Sequence, residues 1–169
     1  MEPNYFFDMD GTLAHYDRWV YESDGQPWYE KIRGTHYYRS LLPHMRMVDL
    51  VNGLLREHPE QVYILTSVDV PPEIFYEHTA DKIHWVNRYL TGLLPEHFLV
   101  VHSRRPAQGK KNKSDVAKEQ LQRPLAQTDY LYDDFNPNLE DWRTYGGTPI
   151  KVLNGINHDR PDMQTIKII

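Results

Sequence analysis

The chain contains no cysteine among its 169 residues. Disulfides, thiolate metal sites and cysteine nucleophiles are excluded at once, and the composition is compatible with a reducing intracellular setting. No apolar run approaches the roughly 20 residues that span a bilayer. The opening MEPNYFFDMDG has no basic n-region, and its apolar stretch is too short for a secretory leader. A soluble, cytoplasmic protein with no membrane partner is expected. An excess of positive charge is missing: the formal net charge is −5, which argues weakly against a general nucleic-acid coat. Repeats and low-complexity tracts are missing too. What is present is a hydrophobic fraction of 40%, enough for a core in one domain (residues 1–169) with a small insertion. The chain carries 12 Tyr and 4 Trp. Several fall in loop-like segments where a core does not need them, which suits stacking on a flat ligand. Arg104, Arg105, Lys110, Lys111 and Lys113 form a local basic cluster, read either as a solvated loop or as an anion-binding edge.

Short apolar runs at residues 5–7, 62–65, 98–101, 130–132 and 150–153 read as strands. They are continuous rather than alternating, as in strands covered on both faces of a parallel sheet. Helical spacing appears between them. One stripe runs through Met47, Val48, Leu50, Val51, Leu54 and Leu55, and another through Ile83, Val86, Tyr89, Leu90 and Leu93. Ser114 is placed to cap a helix through Val116, Ala117 and Leu121. Alternating strand and helix predicts a doubly wound, mainly parallel, Rossmann-like α/β domain. Ligands of such sheets bind beyond the carboxyl ends of the strands. Here those ends carry Asp8, Thr66, Ser103 and Asp133. Residues 14–42 break the alternation with Tyr16, Trp19, Tyr21, Trp28, Tyr29, Tyr37 and Tyr38. They read as a small, mostly helical cap inserted after the first strand, or else as a peripheral elaboration with its own small core.

The strongest chemical signal is Asp8-Met9-Asp10-Gly11-Thr12-Leu13. Two carboxylates just past a buried strand face one cavity if the chain turns there, and Gly11 permits the turn. Carboxylates this close repel unless a cation holds them, and Mg²⁺ is the oxygen-seeking ion that suits them. A calcium loop is disfavoured because no further acidic ligands follow at the required spacing.

On these residues the chain resembles the haloacid dehalogenase superfamily of phosphatases. Its first motif is an apolar strand followed by D-x-D-G-T-[LV], and residues 6–13 match it throughout. Thr66 and Ser67 match the second motif, a lysine before a helix the third, and Asp133 with Asp134 the paired acids of the fourth. The order and rough spacing agree over the whole chain. Asp81, Lys82 and Trp85, the stretch from Tyr38 to Pro43 and the Thr66-Ser67 step look like the 5′(3′)-deoxyribonucleotidase branch. Trp85 itself is expected to pack in the core. The lysine position departs from that branch, since Arg104, Arg105 and Pro106 intervene after the third strand.

The resemblance implies an aspartyl-phosphate mechanism. Asp8 is the nucleophile and a Mg²⁺ ligand. Asp10 is the general acid and base, its pKa raised by a neighbouring carboxylate and by burial, and its backbone carbonyl is a further ligand. One of Asp133 and Asp134 completes the metal site. Thr66 and Ser67 donate to the phosphoryl group. Lys113 neutralises charge, with Lys110 and Lys111 as alternatives. Asn138 and Asp141 are read as turn residues rather than metal ligands. Tyr16, Trp19, Trp28 and Tyr38 are candidates for a base-stacking wall, with packing inside the cap as the alternative for each. The expected substrate is a small phosphomonoester, most simply a nucleotide. A sugar phosphate, a nucleic-acid end and a non-catalytic binding protein of the same fold are the alternatives. A dehalogenase is disfavoured because it has no need of Asp10. The oligomeric state is left open, a dimer included.

Overall fold

The computed structural model describes residues 1–17, 20, 24–102, 111–157 and 162–168. Strands β1 (Asn4–Phe7), β2 (Val62–Ser67), β3 (Phe98–Val101), β4 (Asp129–Asp133), β5 (Thr148–Leu153) and β6 (Gln164–Lys167) form one sheet in the order β3-β2-β1-β4-β5-β6. Every pairing is parallel. The helices are α1 (Trp28–Lys31), α2 (Tyr37–Ser40), α3 (Met45–Glu57), α4 (Pro72–Tyr89), α5 (Lys113–Leu121) and α6 (Asn136–Thr144). This is a doubly wound α/β fold of the Rossmann-like type. Among the described residues, no helix is long and apolar enough to cross a membrane.

The continuous apolar runs have the cause expected of them. Successive strand residues enter opposite cores: Phe7, Val62 and Ile64 join one, and Phe6, Tyr63, Leu65 and Leu131 join the other. The first core is closed by α3 and α4 through Met47, Val51, Trp85 and Val86. The second is closed by α5 and α6 through Ala117, Leu139 and Trp142. Both buried indoles find an acceptor: Trp85 Nε1 donates to Leu41 O at 2.8 Å and Trp142 Nε1 to Asp129 O at 3.0 Å. Gly147 lies against the Trp142 ring so closely that a Cβ there would run into it.

Several boundaries differ from the sequence reading. Helix α4 begins at Pro72 and ends at Tyr89, while Leu90 still packs in the core beyond its end. Helix α5 is capped by Asn112, not Ser114, which lies inside the first turn. Helix α6 occupies what reads as a polar turn, since Pro137 suits a helix start and Leu139 and Trp142 share its buried face. Strand β6, Gln-Thr-Ile-Lys, is an edge strand with exposed residues and no apolar run to reveal it.

The inserted segment leaves and re-enters the domain at one point. His15 N donates to Leu42 O at 2.8 Å and His44 N to Leu13 O at 2.7 Å, and Ala14 bridges both Asp10 and Pro43. Its described part holds two one-turn helices, α1 and α2, broken by turns at Gly25 and Gly34, both with positive φ. It lies along α4. Gly34 N donates to Glu77 Oε1 at 2.7 Å, and Asp81 receives His36 at 3.0 Å and Arg39 at 3.1 Å.

Candidate active site

Strand β1 is flanked by β2 on one side and β4 on the other, so the direction in which successive strands are added to the sheet reverses there. The carboxyl end of such a switch point is where open α/β sheets bind ligands. Asp8 follows β1 directly, its backbone N–H donating to Tyr132 O at 2.9 Å. The chain then turns around Met9, whose carbonyl accepts from Leu13 N and Ala14 N, both at 2.9 Å. Met9 enters the core while Asp8 and Asp10 face a cavity of about 610 Å³. Gly11 sits at φ +83°, and a Cβ there would strike the Asp134 carboxylate and the Asn154 amide. The glycine is required by that close approach as well as by its backbone conformation.

Asp8, Asp133 and Asp134 gather on one side of the cavity, each offering an oxygen within 4.8 Å of the others. Burial pushes Asp8 up to about 7; Lys113 works against that rise, and Asp133 and Asp10 add to it. Burial also lifts Asp134 well above the usual carboxylate range, helped by Asp133 and Asp8. Three buried, crowded carboxylates with this much mutual repulsion are a donor set for a hard divalent cation. All three already have protein partners, Asp8 through Lys113. Asp133 is engaged through both oxygens, by Lys113 at 2.7 Å, Asn138 Nδ2 at 2.9 Å and Phe135 N at 2.8 Å. Asp134 Oδ2 accepts from Asn154 Nδ2 at 2.7 Å and from Asn157 Nδ2. Asn154 Nδ2 also reaches Gly11 O at 2.9 Å, tying the β5 exit to the β1 turn.

Lys113 Nζ lies 2.5 Å from Asp8 Oδ1 and 2.7 Å from Asp133 Oδ2. Burial opposes its charge, but Asp133 and Asp8 outweigh that and hold the ammonium above the usual lysine range. Lys111 instead pairs with Glu119 at 2.7 Å near the surface. Lys110, Ser103, Arg104 and Arg105 lie outside the described residues. Asp141 receives Ser114 Oγ at 2.5 Å and Asn112 Nδ2 at 3.2 Å, which braces α5 against α6.

Asp10 has a partner that the sequence reading did not anticipate. Lys82, fully buried on α4, places Nζ 2.5 Å from Asp10 Oδ2, 2.8 Å from Thr66 Oγ1 and 2.9 Å from Ser67 O. An ammonium, rather than a bare carboxylate, is the charge in contact with Asp10. Ser67 lines the cavity, and Thr66 lies behind it, fully buried.

The aromatic residues divide. Tyr16 lines the cavity. Tyr38 is buried in the first core with the Lys82 ammonium 4.5 Å from its ring centroid. Trp28 packs against the first core and against the Val68, Val70, Ile74 and Phe75 cluster. Trp19 lies outside the described residues. Of the four stacking candidates, Tyr16 is the one on the cavity wall among the described residues. Phe135, half exposed, shares that wall and was not anticipated.

No protein-family model matches the chain, and no curated protein matches it. Solved structures do. A haloacid dehalogenase family hydrolase from Deinococcus radiodurans R1, with bound phosphate and sodium, superposes with a TM-score of 0.60 at 16% identity, covering 95% of this chain and 84% of that one. A D,D-heptose 1.7-bisphosphate phosphatase from B. bronchiseptica, complexed with magnesium and phosphate, gives 0.59 at 10% identity, covering 98% and 92%. A haloacid dehalogenase-like family protein from Streptococcus pneumoniae gives 0.58 at 14% identity, covering 97% and 93%. The chain therefore has the fold of haloacid dehalogenase superfamily hydrolases over nearly its whole length.

Proposed function

We propose that the protein is a Mg²⁺-dependent phosphomonoester hydrolase that works through an aspartyl-phosphate on Asp8, with nucleoside monophosphates, as for a 5′(3′)-deoxyribonucleotidase, as its substrate class. The observation that carries this reading is the buried cluster of Asp8, Lys113, Asp133 and Asp134 at the sheet's switch point. That cluster combines a nucleophile, a fixed cation and carboxylates suited to a metal, which is the equipment phosphoryl transfer needs.

Asp8 and Asp134, with the Asp10 backbone carbonyl, would hold Mg²⁺, while Asp133 orients Lys113. When bound, the ion neutralises charge on the carboxylates and on the phosphoryl group. Lys113 holds Asp8 Oδ1, so the other oxygen attacks phosphorus. A bond forms between Asp8 and phosphorus as the ester P–O bond breaks. Asp10 gives a proton to the departing alkoxide. Water then attacks the aspartyl-phosphate, returns a proton to Asp10, and releases phosphate with Asp8 regenerated. Ser67 donates to the phosphoryl oxygens from the cavity wall. Thr66 Oγ1 accepts from Lys82, and its own hydrogen is left to donate as well.

A cavity of about 610 Å³ falls in the ordinary range for small-molecule sites and takes more than a bare phosphate. Tyr16 on its wall supports a planar base, in line with the resemblance to the deoxyribonucleotidases. A sugar phosphate is the second reading, because Trp28 and Tyr38 are committed to packing and leave less aromatic wall than a base would use. The test is phosphate release from 5′- and 3′-(deoxy)nucleotides, sugar phosphates and an aryl phosphate, with Mg²⁺ and with EDTA. Mg²⁺-dependent turnover favouring nucleotides is expected. Preference for sugar phosphates would move the substrate and keep the chemistry, whereas no turnover of any ester by folded protein would overturn the reading.

A further inference from the structure

Lys82 has no part in the catalytic roles proposed above, yet it is a fully enclosed charge next to the site. Its ammonium is fully buried, and all three of its hydrogens are taken, by Asp10 Oδ2 at 2.5 Å, Thr66 Oγ1 at 2.8 Å and Ser67 O at 2.9 Å. The Tyr38 ring covers it, with the centroid 4.5 Å away. Removing an ammonium from water costs several kcal/mol, roughly, and an apolar side chain of similar volume often stabilises a fold as well or better. Packing alone therefore gives no reason for a lysine here. Helix α4 aims it: Trp85, one turn on, is pinned by its hydrogen bond to Leu41 O at 2.8 Å, and Asp81 holds the inserted segment through His36 and Arg39.

The consequence lies in Asp10. Lys82 holds Oδ2, while Oδ1 is buried and has no hydrogen-bond partner among the described residues. Asp10 also lines the cavity. The carboxyl group is thus fixed with its two oxygens made unequal. We infer that Lys82 is a positioning residue for proton transfer: by holding Asp10 Oδ2 and anchoring it to the β2 exit, it fixes the orientation of the carboxyl group that exchanges a proton with the leaving group and with water. This rests on the phosphatase reading above. Lys82 lies outside the nucleophile, metal and phosphoryl-binding sets, and its task is separable from theirs.

The task is separable because leaving groups differ in their need for a proton. An alkoxide, such as the ribose oxygen of a nucleoside monophosphate, leaves poorly without one. Para-nitrophenolate leaves as a stable anion. The experiment compares kcat/KM for these two esters in wild type, Lys82→Met and Asp10→Asn, with circular dichroism on each. This ratio covers the steps only through departure of the leaving group, so the later attack of water does not blur it. Lys82→Met should lower kcat/KM for the nucleotide by about 10²-fold, the lower end of what general acid help contributes, and for para-nitrophenyl phosphate by less than about 10-fold. Asp10→Asn should show the same selectivity, and the double variant should lose no more than Asp10→Asn alone. If Lys82→Met does not fold, Lys82→Gln, whose donor is one atom shorter, replaces it, and the same selectivity between the two esters with a smaller loss is expected. Equal losses on both esters in folded protein, or full nucleotide turnover, would overturn the inference. If wild type turns over a sugar phosphate and not the nucleotide, that alkyl ester takes the nucleotide's place in the comparison; wild type inactive on every ester would instead remove the phosphatase reading, and this inference with it.

Discussion

Strand β4 begins and ends on a buried aspartate, and the two ends treat the charge in opposite ways. At its start, Asp129 is saturated. Arg123 grips both oxygens at 2.7 Å, Asn4 Nδ2 donates at 2.8 Å and Ala126 N at 2.7 Å. Burial alone would lift Asp129, but Arg123, Asn4 and Ala126 outweigh it and hold it below the usual carboxylate range. At the far end, Asp133 stands with Asp8 and Asp134 in a cluster whose three carboxylates outnumber the ammonium groups in contact with it among the described residues, Lys113 and, on the Asp134 backbone carbonyl at 2.5 Å, Lys151. The same residue type on the same strand is neutralised by the fold at one end and left short of positive charge at the other. The first arrangement contributes stability. The second, on the proposed reading, is where a cation and a phosphate would bind.

The sharpest way to break that contrast is to remove one charge from each end. Asp8→Asn should cut Mg²⁺-dependent turnover by about 10⁴-fold or more, the scale seen when a covalent nucleophile is lost, and leave the fold intact. Asp129→Asn should leave kcat within about 3-fold and lower unfolding stability by about 3 kcal/mol, because it strips Arg123 of its partner. Denaturant melts and turnover on both variants decide it; a catalytic loss in Asp129→Asn would erase the distinction.

A smaller effect tests the shortage of positive charge directly. Saturating Mg²⁺ should raise Tm by about 5–10 °C over EDTA-treated protein, if binding contributes about 2.7 kcal/mol. Asp134→Asn should lose that rise. In EDTA it should be no less stable than wild type, since it removes one of three repelling carboxylates. A destabilised Asp134→Asn in EDTA would mean that the cluster is not strained.

The smallest effect is in the pH dependence, where the two ends have opposite signs. Asp129 is depressed in the folded state, so its stabilisation is present above the ordinary carboxylate pKa of about 4 and is lost as pH falls below it. Asp8 is raised to about 7, so without metal its contribution is full at low pH and is lost as pH rises through about 7. In EDTA, Asp8→Asn should flatten the decline of Tm between about pH 5 and about pH 8, and Asp129→Asn should reduce the decline at the acid end. A wild-type Tm that climbs throughout the upper range in EDTA would contradict the assignment to Asp8.

The five apolar strands are legible in the sequence because each is covered on both faces, and the acids that follow β1 and β4 are legible because nothing in a strand calls for them. Lys113 stands out for its place at a helix start. Strand β6 and helix α6 are hidden by polar composition at an exposed edge and by a proline that starts a helix rather than a loop. Lys82 is quoted within the Asp81 to Trp85 stretch, yet its task is invisible there. A lysine is ordinarily surface charge, and the partners that make this one otherwise, Asp10 and Thr66, lie 72 and 16 residues away. Asn154 and Asn157 are missed for the same reason: they reach Asp134 only through β-strand neighbours that the fold brings together. The aromatic wall is over-read because Trp28 and Tyr38 satisfy packing in a segment whose local composition resembles a loop.

The neck at Leu13, His15, Leu42 and His44 has a bearing on how such a protein can diversify. Two backbone hydrogen bonds zip the outgoing and returning chains together, so the sheet meets the same pair of anchor points whatever hangs beyond them. Beyond the neck the segment still shares the first core through Ile32, Tyr37, Tyr38 and Leu41, so a change of length is tolerated best at its exposed turns, where closing a longer loop adds only slowly to the entropy of folding. The turn that follows β1 is thereby fixed by the neck itself, while the exposed turns beyond it are free to vary.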